Sequence, residues 1–285
     1  MLTCSKVNLS LAVTARRPDG YHDLDSLFYP FREPSDEIAF EDAPESAGIV
    51  IRCDAPGVPL EPEKNLCGKA VIAYCKAAGI PLPGLVIHLK KNTPVAAGMG
   101  GGSADGAAVL RLMQEKYGAL TEKQLEETAF SLGADVPFFL TPRPSYVTGA
   151  GEHRVPLEGL PDRLPLLLAA PLFPVSAAWA YQHLDLAKAM AEPPRTMELA
   201  EALRRRDYPA AAGLMRNDLE HALFAKFPLL GLLRAFLLEN GALRAMISGS
   251  GPTLLSLFPD EAAAEAVCAR GSASFDPAIR WILPS

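Results

Sequence analysis

The residue pattern with the clearest chemical meaning is a glycine run near the middle of the chain. Four of the five residues from Gly98 to Gly102 are glycine, within the stretch TPVAAGMGGGSADGAAVLRL. Because glycine has no Cβ atom, successive backbone N–H groups can turn toward one point, and a following helix N-terminus adds partial positive charge there. The run therefore predicts a cradle for an anion such as a phosphate group.

This run differs from the two common phosphate loops. It lacks the Lys-Ser/Thr pair of GxxxxGK[ST], and Gly98 and Gly100 are followed by Ser103 rather than by the third glycine of GxGxxG. A third kind of phosphate loop is indicated. The alternative is a flexible linker or a tight turn, but a strand is predicted before the run and an amphipathic helix after it, which favours the cradle.

The helix after the glycines is predicted over roughly residues 104–117. Its apolar residues recur at helical spacing, and Gly118 is a suitable stop. Ser103 or Asp105 is predicted to be the N-cap, because their short polar side chains can accept a hydrogen bond from the first turn.

Polar residues with chemical potential also lie on the first predicted strand. Apolar and polar residues alternate along KVNLSLAV, so Lys6 and Asn8, two positions apart, project from the same face. The chain then breaks at Pro18-Asp19-Gly20 before a second apolar run, which predicts a hairpin.

The remaining elements predict an α+β protein. Strands are predicted for DEIAFED, GIVIRCD and GLVIHLKKNTP. Helices are predicted for NLCGKAVIAYCKAAG, closed by Gly79, and for TEKQLEETAFSLG, where Thr121 and Gln124 form a capping box. No strand is assigned to the Pro- and Gly-rich stretch that follows. Helices are then predicted for SAAWAYQHLDLAKAM, TMELAEALRRRD, AAGLMRNDLEHALF and FPLLGLLRAFLLENG, before a strand, a Gly-containing turn, a strand and a helix.

Composition limits the possible partners and compartment. A chain of 285 residues that is 49% hydrophobic can bury one large or two ordinary cores. The net charge of −6 disfavours broad attraction to nucleic acid or to membrane phosphates. Five scattered cysteines without metal-binding spacing fit reduced thiols, and no apolar stretch reaches the length of a membrane span. We therefore expect a cytoplasmic protein with no nucleic-acid and no membrane partner.

Four motifs in order along the chain carry a family resemblance. PVAAGMGGGSAD resembles the ATP loop of the GHMP small-molecule kinases, and ISGSGPTLLSLF resembles their C-terminal glycine motif. SKVNLSLAVTARRPDGYHDLDSLF and GADVPFFL are similar to motifs of one branch, which acts on 4-diphosphocytidyl-2-C-methyl-D-erythritol. The departures are modest: Ala104-Asp105 replaces the usual Ser-Asn, Met99 replaces a common Leu, and Ser5 stands where a small apolar residue is usual.

The resemblance implies both a fold and a reaction. The implied fold is an α+β, two-domain GHMP kinase, with an N-terminal ATP-binding domain over 1–150 and a ferredoxin-like C-terminal domain over 151–285. The N-terminal domain would hold a mixed or antiparallel sheet with helices, as in some ribosomal proteins. The implied reaction transfers phosphate from ATP, with Mg²⁺, to the substrate's 2-hydroxyl in non-mevalonate isoprenoid precursor biosynthesis.

The same resemblance implies the catalytic pair. Phosphoryl transfer to an alcohol needs charge neutralisation and a group that accepts the hydroxyl proton. Asp135 would be the general base, and Lys6 would keep it ionised and stabilise the reacting oxygens. Taken singly, Asp135 also fits a turn residue before Val136-Pro137, and Lys6 also fits a solvated strand residue.

The implied ATP-binding residues cover the glycine loop and its surroundings. Asn65, Leu66 and Lys91 are expected around the adenine, although Asn65 can also cap the next helix, and both roles can hold together. Ser103 either coordinates Mg²⁺ or caps its helix. The loop residues expected to contact ATP are Pro94, Val95, Ala96, Ala97, Gly98, Met99, Gly100, Gly101, Gly102, Ser103 and Ala104.

The implied substrate-binding residues are Asn8, Tyr21, His22 and Tyr181. Asn8 would hold substrate hydroxyl groups, Tyr21 and His22 would meet a pyrimidine, and Tyr181 would cover the other face of that ring. A surface aromatic pair is the alternative for Tyr21 and His22. Residues 248–251 would close around the phosphates or form a simple hairpin turn.

Two rival functions stay open from sequence. One is another GHMP kinase acting on a sugar, a mevalonate-type acid or homoserine, and the other is a non-catalytic nucleotide-binding module. The expected partners are ATP and a cytidyl diphosphate substrate, and the expected assembly is a monomer or a weak homodimer.

Overall fold

The computed structural model describes residues 1–275, 277 and 279–285. The α-helices are α1 (Leu66–Ala78), α2 (Gly101–Tyr117), α3 (Glu122–Leu132), α4 (Ala177–Gln182), α5 (Leu186–Ala189), α6 (Thr196–Arg204), α7 (Tyr208–Leu214), α8 (Glu220–Lys226), α9 (Pro228–Glu239) and α10 (Glu261–Ser274). The strands are β1 (Ser5–Arg16), β2 (His22–Phe31), β3 (Glu37–Asp42), β4 (Ile49–Arg52), β5 (Leu85–Lys90), β6 (Ser145–Gly149), β7 (His153–Pro156), β8 (Leu166–Pro171), β9 (Arg216–Asn217), β10 (Arg244–Ile247), β11 (Leu254–Leu257) and β12 (Ile279–Ile282).

The chain divides into two compact units that interleave along the sequence. Unit 1 comprises Met1–Ser5, Arg32–Val95 and Gly100–Pro142. Unit 2 comprises Lys6–Phe31, Ala96–Met99 and Arg143–Ser285. The predicted boundary near residue 150 stays a prediction.

Unit 1 packs helices α1, α2 and α3 with a small mixed sheet of order β3-β5-β4. β3 runs antiparallel and β4 parallel to β5, so β5 is the central strand. Helix α1 ends at Gly79 in the left-handed conformation, and α2 ends in the same way at Gly118. Both stops are as predicted, because glycine adopts positive φ without a Cβ clash.

Unit 2 holds the sheets of order β7-β6-β2-β1-β9 and β10-β11-β8-β12. Strand β8 shows why its segment folds: Leu166 and Leu168 enter one hydrophobic core, whereas Leu167 and Ala169 enter another. Successive strand residues point to opposite faces, so a continuous apolar run suits a strand that is covered on both sides. The predicted hairpin of β1 and β2 is confirmed.

Several sequence-based expectations are wrong. SAAWAYQHLDLAKAM is not one helix, because α4 ends at Gln182 and α5 begins at Leu186. Helix α2 begins at Gly101 rather than near residue 104, and its N-cap is Gly100 rather than Ser103 or Asp105. AAGLMRNDLEHALF is not one helix, because β9 separates α7 from α8. The Pro- and Gly-rich stretch contains β6, β7 and β8, and β12 was not predicted either.

The α+β fold class is confirmed by the sheets and helices of both units. Among the described residues, no single helix has the length and apolar character to cross a membrane. Helices α8 and α9 together are long and apolar enough for a span, but they are bent by 111° relative to each other.

The capping box at the start of α3 is confirmed and gives a stability prediction. The Gln124 backbone N–H donates to Thr121 Oγ1 at 3.3 Å, and the Thr121 N–H donates to Gln124 Oε1 at 2.9 Å. Thr121→Ala removes an acceptor from the helix start, so we expect the free energy of unfolding to fall by about 1 kcal/mol. Urea denaturation measures this, with Lys123→Ala, an exposed change on the same helix, as the control. Equal effects of the two substitutions would contradict the prediction.

Candidate active site

The polar face of strand β1 is buried. A strand at a protein surface turns its polar residues to water, but Lys6, Asn8 and Ser10 are 4%, 1% and 2% exposed. Buried polar groups need hydrogen-bond partners, because an unsatisfied donor or acceptor costs free energy. The predicted alternation is therefore correct, and the polar side faces the interior.

A hydrogen-bonded chain of side chains satisfies these groups. Lys6 Nζ donates to Asn8 Oδ1 at 2.8 Å, and Asn8 Nδ2 donates to Ser26 Oγ at 3.0 Å. The Ser26 hydroxyl in turn donates to the Ser10 carbonyl. The Lys6 ammonium also lies 4.2 Å from the centroid of the Phe28 ring, where the π face attracts a cation. Lys6 is thus fixed in unit 2 as a buried, oriented cation.

The first part of the glycine run packs closely on the turn between β10 and β11. Gly98 has φ +76°, and a Cβ on it would lie 2.3 Å from the Ser248 carbonyl oxygen. The Ser248 hydroxyl donates to the Gly98 carbonyl at 3.1 Å, and the Thr253 N–H donates to the Ala97 carbonyl at 3.4 Å. Glycine at 98 is therefore required by both backbone angle and space.

The same stretch of loop also touches strand β1. The Lys6 backbone N–H donates to the Met99 carbonyl at 3.0 Å. The catalytic candidate Lys6 and the loop residue Met99 therefore share a direct backbone contact within unit 2.

The second part of the run begins helix α2. Its N-cap, Gly100, has φ +74°, and no side chain of the described residues caps the helix. The first-turn N–H groups of a helix have no intrahelical acceptor, and they carry the positive end of the helix dipole. These donors fit an anionic phosphate, as the glycine run predicts.

A buried ion cluster lies beside the same helix turn. Lys91 Nζ donates to Asp105 Oδ2 at 2.7 Å and to the Asp36 carboxylate. Asp36 Oδ1 also accepts the backbone N–H groups of Asn92 and Thr93 at 2.6 and 2.7 Å. Lys91 therefore ties the segment after β5 to α2. The Lys91 ammonium is bound by these two carboxylates. The expected contact of Lys91 with the adenine stays a prediction.

This cluster shifts the pKa of its members. Burial, reinforced by the charge of Asp36, raises the pKa of Asp105 to about 7, although Lys91 opposes the rise. Burial alone would lower the pKa of Lys91, but attraction to Asp105 and Asp36 raises it above the ordinary value. Asp105 Oδ1 is buried and accepts no hydrogen bond from the described residues.

Asn65 and Leu66 lie at the start of α1 in unit 1. The Asn65 side chain accepts the Cys67 N–H at 2.8 Å and donates to the Pro59 carbonyl at 2.7 Å. The predicted capping role of Asn65 is confirmed. Leu66 lies near the first turns of α2, 3.7 Å from the position of a Cβ on Gly102. Contact of either residue with adenine stays a prediction.

The aromatic candidates lie around the β1–β2 turn and helix α4. Tyr21 is 61% exposed, and the His22 and Tyr181 rings stack with centroids 5.2 Å apart. Partial burial, with the nearby Arg16 charge, lowers the pKa of His22. His22 and Tyr181 are therefore brought together, whereas Tyr21 offers an open ring face. Their contact with a pyrimidine stays a prediction.

Asp135 lies in the turn between α3 and the 3₁₀ helix Pro137–Leu140 and is half-buried. The Val136 N–H donates to the Gly133 carbonyl at 3.0 Å, which closes this turn. Asp135 belongs to unit 1 and Lys6 belongs to unit 2. Their pairing in catalysis stays a prediction.

Comparisons with known proteins agree with this architecture. Residues 65–142 match the GHMP kinases N terminal domain, and residues 199–276 match the GHMP kinases C terminal family. A 4-diphosphocytidyl-2-C-methyl-D-erythritol kinase of Solidesulfovibrio magneticus is 39% identical over 89% of this chain and 86% of its own. The chain belongs to the GHMP kinase family. The Geobacter sulfurreducens kinase of the same name is 38% identical over 98% of this chain and 97% of its own.

A solved structure places the chain in the same branch of the GHMP kinases. The crystal structure of a 4-(cytidine 5'-diphospho)-2C-methyl-D-erythritol kinase is 34% identical, with a TM-score of 0.78. The match covers 100% of this chain and 97% of that one. The family resemblance of the four motifs is thus confirmed, while the individual site residues of this GHMP kinase stay predictions.

Sequence reasoning missed several buried polar residues that contact the candidate residues of this GHMP kinase or lie near them in the same unit. Asp36 and Asp105 were not recognised as partners of Lys91, and Asn217 was placed within a helix. The available signal for a buried ion pair was Asp105 itself, a charged residue early in the helix that follows the glycine run. Ser26 and Phe28 gave no signal beyond their place on β2.

The close contact at Gly98 gives the first prediction for the site. Gly98→Ala would force positive φ on an alanine and a Cβ into the Ser248 carbonyl. We expect the free energy of unfolding to fall by about 1–3 kcal/mol or more, measured by urea denaturation. Gly102→Ala is the control, because its Cβ would meet Leu66 at an ordinary 3.7 Å. A Gly98 variant as stable as the Gly102 variant would overturn this account.

The buried cluster predicts a pH dependence of stability. An acid whose folded pKa is raised binds more protons when folded, so its stabilising contribution is full below pH about 4 and lost as pH rises through 7. Asp105→Asn cannot ionise. We therefore expect this variant to gain stability relative to wild type between pH 4 and 8, on the order of a few kcal/mol.

Denaturation curves at several pH values in this range measure the difference between the two proteins. Asp54→Asn, at an exposed carboxylate, is the matched control and should follow wild type. If the free energies of unfolding of Asp105→Asn and wild type differ by a constant amount across this pH range, ionisation of Asp105 does not contribute to stability, and the prediction is wrong.

Proposed function

We propose that this chain transfers the γ-phosphoryl group of ATP to the 2-hydroxyl of 4-diphosphocytidyl-2-C-methyl-D-erythritol. The products are the 2-phosphate and ADP, in non-mevalonate isoprenoid precursor biosynthesis. Support comes from relatives that carry this kinase name at 38–39% identity over nearly the full chain. Kinases of the same family with other acceptors are the rival within the enzyme class.

The observation that carries the proposal is the buried Lys6 side chain, on a residue whose backbone contacts the glycine loop. Lys6 is held by Asn8 and by the Phe28 ring, and its backbone donates to Met99 of the loop. A cation kept in a low-dielectric place interacts strongly with negative charge that develops on a transferred phosphoryl group.

The nucleotide phosphates would be bound by backbone donors. In the described part of the chain, no side chain caps the first-turn N–H groups of α2, and the glycines allow close approach of an anion. Mg²⁺ takes few protein ligands beside substrate phosphates, and the Ser103 hydroxyl, in the first turn of α2, would be its candidate ligand. When bound, Mg²⁺ would neutralise charge on the phosphate oxygens.

Asp135 would accept the proton of the substrate hydroxyl. The bond from that oxygen to the γ-phosphorus forms as the bond from the γ-phosphorus to the bridging oxygen of ADP breaks. Lys6 would neutralise charge on the reacting oxygens, and Asn8 would orient the acceptor hydroxyl groups. A pyrimidine would stack on Tyr21, with His22 and Tyr181 beside it.

Release of ADP measures the proposed reaction. The cytidyl substrate, the same compound without its cytidyl group, galactose, mevalonate and homoserine are compared as acceptors, each with ATP and Mg²⁺. We expect turnover with the cytidyl substrate alone. Turnover with another acceptor would move the chain to a sister kinase. Nucleotide binding without turnover on any acceptor would support the non-catalytic module.

Asp135→Asn tests the proton acceptor directly. The amide keeps the shape of the side chain but cannot take a proton, so we expect kcat to fall by about 10²–10⁴-fold. Affinity for ADP, measured by calorimetry, should stay within about twofold, because the backbone donors of α2 are untouched. Asp54→Asn serves as the control with unchanged kcat. Full activity of the Asp135 variant would exclude it as the base.

A further inference from the structure

Asn217 occupies an unusual place in the fold. It lies on the two-residue strand β9, between helices α7 and α8, and pairs in parallel with Leu11 of β1. Its side chain is 4% exposed. Because a buried amide without partners costs free energy, its N–H and C=O groups need hydrogen bonds inside the protein.

Its amide group spans the turn that follows β10. Asn217 Nδ2 donates to the Ile247 carbonyl at 2.7 Å and to the Gly249 carbonyl at 2.8 Å. Asn217 Oδ1 accepts the Leu219 N–H at 2.9 Å. Both amide protons are thus used to hold two carbonyl groups that flank Ser248.

This turn in turn positions the glycine loop. The carbonyl oxygen and the hydroxyl of Ser248 both contact Gly98. Gly249 has φ +56°, and a Cβ on it would lie 3.2 Å from both Asn8 Oδ1 and the Gly98 carbonyl oxygen. The turn therefore packs closely against the loop and against Asn8, the partner of Lys6.

We propose that Asn217 is a positioning residue for the nucleotide loop, acting through the Ser248-Gly249 turn. The inference rests on the proposed nucleotide-binding function of that loop. Asn217 touches neither nucleotide nor acceptor in this scheme. It fixes the turn against which Ala97 and Gly98 are placed.

The chemistry of this position favours an amide over its isostere. A carboxylate at 217 could still accept the Leu219 N–H, but it has no proton to donate and would face the Ile247 and Gly249 carbonyl oxygens. The turn would lose both side-chain donors and gain electrostatic repulsion. Asn217→Ala removes the donors without adding charge, so it separates the two effects.

Steady-state kinetics of Asn217→Asp and Asn217→Ala test the role. We expect KM for ATP to rise about tenfold or more, while KM for the acceptor changes less than twofold. A merely structural role would lower the active fraction, and with it the apparent kcat, at unchanged KM for ATP. The control is Asn240→Asp, where the amide donates to the Phe236 carbonyl at the end of α9.

Calorimetry with ADP keeps the inference separate from the proposed reaction. If wild type binds ADP but turns over no acceptor, the proposed reaction fails, and the ADP affinities of the variants still test Asn217. Weaker ADP binding by about tenfold in both Asn217 variants, with Asn240→Asp unchanged, supports the role. KM for ATP and ADP affinity within twofold of wild type in both folded variants would overturn it.

Discussion

The contact between Gly98 and the Ser248 carbonyl is the constraint on which the rest of unit 2 depends. A Cβ at position 98 would lie 2.3 Å from the Ser248 carbonyl oxygen, so only glycine fits there while the turn keeps its position. Asn217 fixes the turn from one side, and the Lys6 N–H fixes the loop at Met99. Strand β1, which carries Lys6, also pairs with the strand of Asn217. The loop is therefore framed by backbone and buried amide contacts rather than by flexible surface side chains.

Each of two buried lysines is held in place by side chains of its own unit. Lys91 is balanced by the carboxylates of Asp36 and Asp105, so its contribution is mainly to join β5 and α2. Lys6 is held by a neutral amide and an aromatic ring among its contacts. The amide dipole and the π face each stabilise the Lys6 ammonium in its buried position.

Local chemistry was enough to predict the elements whose signals lie within a few residues. The hairpin of β1 and β2, the capping box at Thr121 and the glycine stop of α2 follow from neighbouring residues. The start of α2 was missed because Gly100 caps it by conformation and offers no polar side chain. Strand β9 was missed because its partner Leu11 lies about 200 residues away in sequence. The pairing of Lys91 with Asp36 and Asp105 is equally non-local, and periodicity carries no information about it.

The interruption of the helical pattern by β9 makes this segment locally frustrated. AAGLMRNDLEHALF has the apolar spacing of a continuous helix, yet tertiary pairing with β1 converts its centre into a strand. Changes that raise helix propensity there would strengthen the competing conformation rather than the native one. Helix-favouring substitutions stabilise most surface helices. In this segment they would instead weaken β9, which carries Asn217 and through it holds the turn beside the glycine loop.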